Sequence, residues 1–273
     1  MPRFSRRSFL HLTAAASALA FGGISETMLA AEARRRRPIG TDAVLIDSNE
    51  NPLGPSQAAR EAVATIIPQS GRYDEDLTAD LCHLFAQQQD LAPEYVRAAA
   101  GSSPALNLTV AVLTGPHRSY VTADPGYEPG MFISAAMGAR VVKVPLTSSY
   151  AHDVKAMLAA APDAGLFYVC TPNNPTGTLT PHSDIEYLVA NKPKDSMVLV
   201  DEAYIHFADA PSALDLVKAG KDVIVLRTFS KVYGMAGLRC GFIVARPDLM
   251  DRLTKRGDGT RCRSRRWQRR LRV

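Results

Sequence analysis

The stretch RTFSKVYGMAGLRCGF, residues 227–242, decides how this chain folds. It begins in a β-branched run, DVIVLRT (222–228), and ends in a second apolar run, CGFIVA (240–245). Between them lie a hydroxyl-rich turn, Lys231, a glycine-bearing bend and Arg239. A lysine costs little on a surface and much when desolvated. Taken singly, Lys231 reads as a surface residue. The reason to read it otherwise lies in what the rest of the chain brings to the same place.

Upstream, short β-rich runs alternate with helical patterns. Strands are expected at 96–100, 119–123, 140–144, 165–170, 196–201, 222–228 and 240–245, and helices near 104–113, 128–137, 153–160, 182–191 and 212–219. Strands apolar along their length and spaced by helices predict a mainly parallel sheet of about seven strands, covered on both faces. That is an α/β architecture. Ligands in such sheets bind at the carboxyl ends of the strands.

Polar motifs fall at those ends. After the first strand comes GSSPAL, with Ser103 expected as helix N-cap and Pro104 at the first helical position. Backbone N–H groups at such a terminus bind phosphate; alone, the motif also fits an ordinary capped helix. TPNNPTG (171–177) follows the fourth strand and makes a rigid turn with Asn173 and Asn174 at its centre. VDEAYIHF (200–207) closes the fifth with Asp201, Glu202 and Tyr204. A carboxylate desolvated at a strand end calls for a cationic partner, so Asp201 is expected to have one; helix capping is the plainer alternative. Thr228, Ser230, Lys231 and Arg239 follow the sixth. Together the motifs propose one site with an amide, a carboxylate, a phenol, an amine and a phosphate clamp, the set that pyridoxal phosphate requires.

Charge and cysteine content bound the alternatives. Residues 1–37 carry +5 and residues 252–273 carry +9 against a whole-chain charge of +5, which leaves −9 on the body between. An acidic body does not read as a nucleic-acid-binding domain. The four cysteines, 82, 170, 240 and 262, lack metal-ligand spacing, and no metal site is expected. Cys170 and Cys240 read as buried small hydrophobes. At the amino terminus SRRSFL (5–10) precedes a short Ala- and Gly-rich apolar stretch. It reads as a twin-arginine signal peptide over residues 1–33. The expected location is therefore the periplasm, with cytoplasmic or inner-membrane-attached protein as the alternatives. The apolar stretch is short for a stable membrane span.

The sequence resembles the fold-type-I pyridoxal-phosphate-dependent aminotransferases, class I/II, and is most similar to their histidinol-phosphate aminotransferase-like subgroup. The resemblance rests on DSNENPLGPS (47–56), GRYDED (71–76), GSSPAL, DPGYEPG (124–130), TPNNPTG, VDEAYIHF and RTFSKVYGMAGLRCGF, and covers residues 44–250. It implies an aspartate aminotransferase-like large domain over 71–254, preceded by an arm and entrance segment at 34–70. It also implies transfer of an amino group between an amino acid or aminophosphate and a 2-oxo acid.

Residue by residue, the resemblance makes Lys231 the amine that holds the cofactor and shuttles the substrate proton. It pairs Asp201 with the pyridine nitrogen, sets Asn174 and Tyr204 on the phenolic oxygen, and stacks Tyr127 on the ring. Ser102, Ser103, Thr228, Ser230 and Arg239 take the phosphate. Tyr73 reaches the phosphate of a neighbouring subunit, which implies a homodimer. Asn49, Glu50 and Asn51 line the substrate entrance. Asp74 stands where relatives commonly have proline.

After Leu249 the resemblance stops. Residues 255–273 form an Arg-rich tail without apolar periodicity, which is not expected to pack a core. Relatives continue here through a smaller domain whose arginine clamps the substrate carboxylate, and this sequence offers no counterpart. A shifted reading frame or shortened gene model is one reading, and a tail for nucleic acid or anionic membrane another. The function alternatives are a catalytically incomplete pyridoxal-phosphate-binding fragment, or a decarboxylase or lyase of the same fold.

Overall fold

The computed structural model describes residues 43–257. The signal peptide expected at 1–33, the start of the arm, residues 258–273 of the tail and Cys262 lie outside them.

Seven strands form one sheet: β1 (Val96–Ala99), β2 (Ser119–Asp124), β3 (Val141–Pro145), β4 (Ala164–Cys170), β5 (Met197–Asp201), β6 (Val223–Thr228) and β7 (Gly241–Ala245). Their order is β1-β7-β6-β5-β4-β2-β3. Only β7 pairs antiparallel, with β6 on one side and β1 on the other, so six strands run one way and β7 runs back. Each strand lies within one residue of its expected span.

The helices are α1 (Gln57–Ile66), α2 (Glu75–Gln88), α3 (Ser102–Leu113), α4 (Pro129–Ala136), α5 (Val154–Ala160), α6 (His182–Asn191), α7 (Leu214–Lys218) and α8 (Pro247–Gly257). The sequence patterns give α3 to α7 within two residues and miss α1, α2 and α8. Asp74 caps α2 by accepting from the Leu77 N–H at 2.8 Å. α8 carries order past Leu249, with Leu249, Met250 and Leu253 buried.

The central strands are buried throughout, and their period of two divides the core. Phe167, Val169, Val198, Val200, Val223, Val225, Phe242 and Val244 pack in one cluster with residues of α2, α5, α6 and α7. Leu166, Tyr168, Cys170, Leu199, Ile224, Leu226 and Ile243 pack in the other with α3, α4 and α8. A sheet sealed on both faces leaves its strand ends as the place for polar chemistry. Among the described residues no helix is long and apolar enough to cross a membrane. Nor does any group of three or more His, Cys, Asp or Glu there have the arrangement to hold a metal ion.

Candidate functional site

A cavity of about 710 Å³ opens at the carboxyl ends of β1, β4, β5 and β6. Its walls include Ser102, Ser103, Tyr127, Asn174, Asp201, Tyr204, Thr228, Ser230, Lys231 and Arg239, together with Asn49 and Glu50. Twelve of the fourteen expected site residues thus meet in one place. Asn51 and Tyr73 do not line it. Asn51 instead donates to the Val232 carbonyl at 3.0 Å, tying the arm to the lysine loop. Tyr73 stands fully exposed away from the cavity.

One end of the cavity is built for an anion. Gly101, at φ 88° and ψ 174°, caps α3, so the helix begins at Ser102. Ser103, expected as the cap, is already helical, and Pro104 falls at the third helical position, where its missing N–H still costs no intrahelical bond. A Cβ on Gly101 would collide with the guanidinium of Arg239. Glycine both adopts the left-handed conformation and leaves room for that side chain. Arg239 itself sits at φ 54° and donates to the Ala236 carbonyl at 2.8 Å and the Ser230 hydroxyl at 3.4 Å. Thr228 Oγ1 donates to Ser230 Oγ at 2.9 Å and accepts from the Ser230 N–H at 3.1 Å. A helix terminus, a guanidinium and four hydroxyls converge there, the donor set a phosphate takes.

The other end is built around Asp201. It is buried, and its oxygens accept from the Tyr168 hydroxyl at 3.0 Å and the Ala203 N–H at 3.1 Å. Burial pushes its carboxyl up to about 6; the Tyr168 and Ala203 bonds pull against this, nearby Glu202 raises it, and the Lys231 charge lowers it. A direct ion pair is made by the next residue. Glu202 pairs with Arg227 at 2.7 Å and also accepts from the Ser212 hydroxyl and the Ala213 N–H. Strand alternation explains the placement: consecutive residues face opposite ways, so Glu202 turns from the cavity to its own partner. Arg227 further contacts Ser212 at 2.9 Å and His206 at 3.2 Å. Burial and the Arg227 charge lower the His206 pKa.

Lys231 lies between the two ends. Its amine donates to the carbonyls of Ser48 at 3.1 Å and Asn49 at 3.3 Å and lies 5.5 Å from the centre of the Tyr204 ring. Asn49, at φ 49°, donates to the Tyr204 hydroxyl at 3.1 Å. The arm is thus strapped across the lysine. Asn174 enters from the turn after β4, while its neighbour Asn173 is buried in that turn and donates to Thr176 and to the Pro125 carbonyl. Cys170 and Ala203 add apolar wall, and burial raises the Cys170 thiol. Cys82, Cys170 and Cys240 are free thiols, and Cys240 is only half-buried. Sequence reasoning missed Tyr168, Cys170 and Ala203. Tyr168 was hidden in an apolar run, and only its two-residue spacing from Cys170 marks it as sharing the cavity-side face.

A family model described as aminotransferase class I and II matches residues 41–262. An aromatic amino acid aminotransferase of Rhodococcus jostii is 37% identical over 78% of this chain and 60% of its own length. A histidinol-phosphate aminotransferase of Symbiobacterium thermophilum is 37% identical over 77% of this chain and 58% of its own. The chain thus spans about three fifths of the length of these curated relatives. Among solved structures, histidinol-phosphate aminotransferase from Sinorhizobium meliloti in complex with pyridoxal-5'-phosphate superposes with a TM-score of 0.74 at 27% identity. That match covers 85% of this chain and 62% of the other.

Proposed function

We propose a function from one premise: the chain belongs to the aminotransferase class I and II family. It binds pyridoxal phosphate in the strand-end cavity and transfers an amino group between an amino acid or aminophosphate and a 2-oxo acid. The observation that carries this reading is the arrangement of one cavity with an anion cradle at one end, a buried carboxylate at the other and a lysine amine between them. The donor set fits the cofactor: Arg239, Ser102, Ser103, Thr228 and Ser230 for its phosphate, Asp201 for its ring nitrogen, and Asn174 and Tyr204 for its phenolic oxygen.

When bound, the cofactor supplies an aldehyde for the amino group and a ring that withdraws electrons from the substrate α-carbon. The protein supplies placement and proton transfer. Among the described residues Lys231 is the only lysine lining the cavity, and it is the amine that takes and returns the α-proton. Asp201, as carboxylate, would accept the hydrogen bond of a protonated ring nitrogen. Tyr127 would cover a ring face and exclude water, and Tyr204 and Asn49 orient the amine's surroundings.

The two 37% relatives support an aminophosphate or aromatic amino donor. Purified protein incubated with pyridoxal phosphate is expected to gain a bound chromophore, and Lys231→Ala to lose it. Product analysis with histidinol phosphate and phenylalanine, each with a 2-oxo acid acceptor, then reads the reaction. Absence of any chromophore in the wild type defeats the reading, and release of carbon dioxide would make the enzyme a decarboxylase.

Two further features belong to the proposal. A homodimer would give the exposed Tyr73 a partner site to reach, and exposed Ile66, Leu77 and Leu84 on α1 and α2 support such burial. The SRRSFL sequence supports twin-arginine export, to be read by cell fractionation of the full chain with and without Arg6→Lys and Arg7→Lys.

A further inference from the structure

We infer that Tyr168 is a positioning residue: its hydroxyl fixes Asp201 and holds that carboxyl ionised for the ring nitrogen. This rests on the cofactor reading above and adds a residue to it.

The geometry begins with register. Cys170 pairs with Asp201 across β4 and β5, and Tyr168 pairs with Leu199. Tyr168 therefore lies two residues below Asp201 on the neighbouring strand and on the same sheet face. Such a diagonal separation is within reach of an aromatic side chain but not of a short one. The phenol spans it and donates to Oδ2 at 3.0 Å, while the Ala203 N–H holds Oδ1 at 3.1 Å. One oxygen is gripped from the neighbouring strand and the other from the turn beyond, which fixes the plane of the carboxyl.

The ring is fully buried among Leu166, Leu199, Ile224 and Leu226, with Tyr120 tilted beside it at 6.0 Å between centroids. Phenylalanine would fill that space equally well, so packing alone gives no account of the hydroxyl. The groups facing Asp201 are Tyr168 and Cys170 from β4, Tyr120 from β2 behind them, Glu202 beside it on β5 and Lys231 from the loop after β6. The Tyr120, Tyr168 and Cys170 protons are held tightly, since burial raises all three, so Tyr168 stays a donor across the working range. Asp201 sits close enough to neutral pH that one lost donor changes its charge. A hydrogen bond to a charged group is worth roughly 1.5–3 kcal/mol, or about 1–2 pH units.

The experiment uses the full chain with Tyr168→Phe and, separately, 3-fluorotyrosine at position 168, a stronger donor. Asp201 is followed in cofactor-free protein by NMR of aspartate labelled at Cγ, assigned by loss of its signal in Asp201→Asn. Its titration is expected to move up by about 1–2 pH units in Tyr168→Phe and down with fluorotyrosine. Affinity for pyridoxal phosphate is measured against pH in parallel. Tyr168→Phe should bind about tenfold more weakly at pH 7 and approach wild type at alkaline pH, where Asp201 ionises regardless. An unmoved Asp201 titration overturns the inference, as does an affinity loss that is equal at every pH. If Tyr168→Phe fails to fold, the fluorotyrosine shift decides alone. If wild type binds no pyridoxal phosphate, the cofactor reading falls, while the carboxyl titration still tests the Tyr168 effect on Asp201.

Discussion

The guanidinium of Arg239 occupies the space that a side chain on Gly101 would need. One residue is thus kept bare so that another can lie over the start of α3. Gly101→Ala is expected to lose twice, by forcing a Cβ into a backbone at φ 88° and by displacing Arg239 from the anion cradle. Stability should fall by about 1–3 kcal/mol in urea titration. Affinity for pyridoxal phosphate should fall about 10- to 100-fold in equilibrium titration. Unchanged affinity would remove Arg239 from the phosphate role.

Asp201 is a cost to the cofactor-free fold. Its carboxyl titrates at about 6 in the folded chain against an ordinary value of 3.8, so between those values the folded state holds more protons than the unfolded one. Stability therefore declines as pH rises through that window, and the penalty persists at neutral pH. Asp201→Asn is expected to stabilise cofactor-free protein by on the order of 1–3 kcal/mol at pH 8 and by little at pH 3.5. The proposed amine transfer should be lost in this variant. Thermal melts across pH check the first statement and amine-transfer assays the second.

The Glu202–Arg227 pair behaves oppositely. Both side chains are buried, and Glu202 also satisfies Ser212 and the Ala213 N–H. Glu202→Ala should destabilise by about 3–5 kcal/mol, because a buried guanidinium loses its counter-charge. Glu202→Gln should cost less, since its amide keeps the shape and one acceptor. Chemical denaturation of both variants gives the comparison, and equal losses would mean that the charge, which both variants remove, carries the whole effect.

The arm offers a dynamic prediction. Lys231 holds the Ser48 and Asn49 carbonyls, and Asn51 holds the Val232 carbonyl. In cofactor-free protein, Lys231→Ala should accelerate amide exchange over residues 48–54 more than Asn51→Ala does. It removes two hydrogen bonds that tie the arm to the lysine loop, whereas Asn51→Ala removes one such tie and the Leu53 N–H bond within the arm, so the comparison is read at amides other than Leu53; each bond is worth roughly 1 kcal/mol. Equal exchange in wild type and Lys231→Ala would show that the arm is held by other contacts.

How far the sequence reaches depends on the kind of signal. β4, β5 and β6 are apolar runs closed by polar residues at their carboxyl ends, and their limits are legible because burial on both faces keeps charged side chains to those ends. The four strand-end motifs supply nine residues that meet in one cavity, since chemistry at a strand end needs polar types that an apolar run cannot disguise. α1 was not legible because it is an exposed helix with no buried residue, so nothing in its pattern separates it from an arm. The need for glycine at the α3 cap was not legible, because the side chain that fills the space beside Gly101, Arg239, lies far along the chain. Tyr168 escaped notice for the same reason: an aromatic in an apolar strand reads as core until its hydroxyl is seen to face Asp201. Local pattern gives the scaffold, and pairing across strands gives the fine adjustment of the site.

The reversal of β7 has a consequence for genetics. Because β7 alone runs back, the segment from Phe229 to Cys240 leaves the sheet at Thr228 and re-enters at Gly241 on the same edge, where those two residues are paired. The amine and the guanidinium are therefore carried on one short span clamped at both ends, and a strain introduced at either is felt at the other. Substitutions within this span should combine non-additively, a second one costing less than it does alone. Selection would then treat residues 229–240 as one inherited unit rather than as twelve positions.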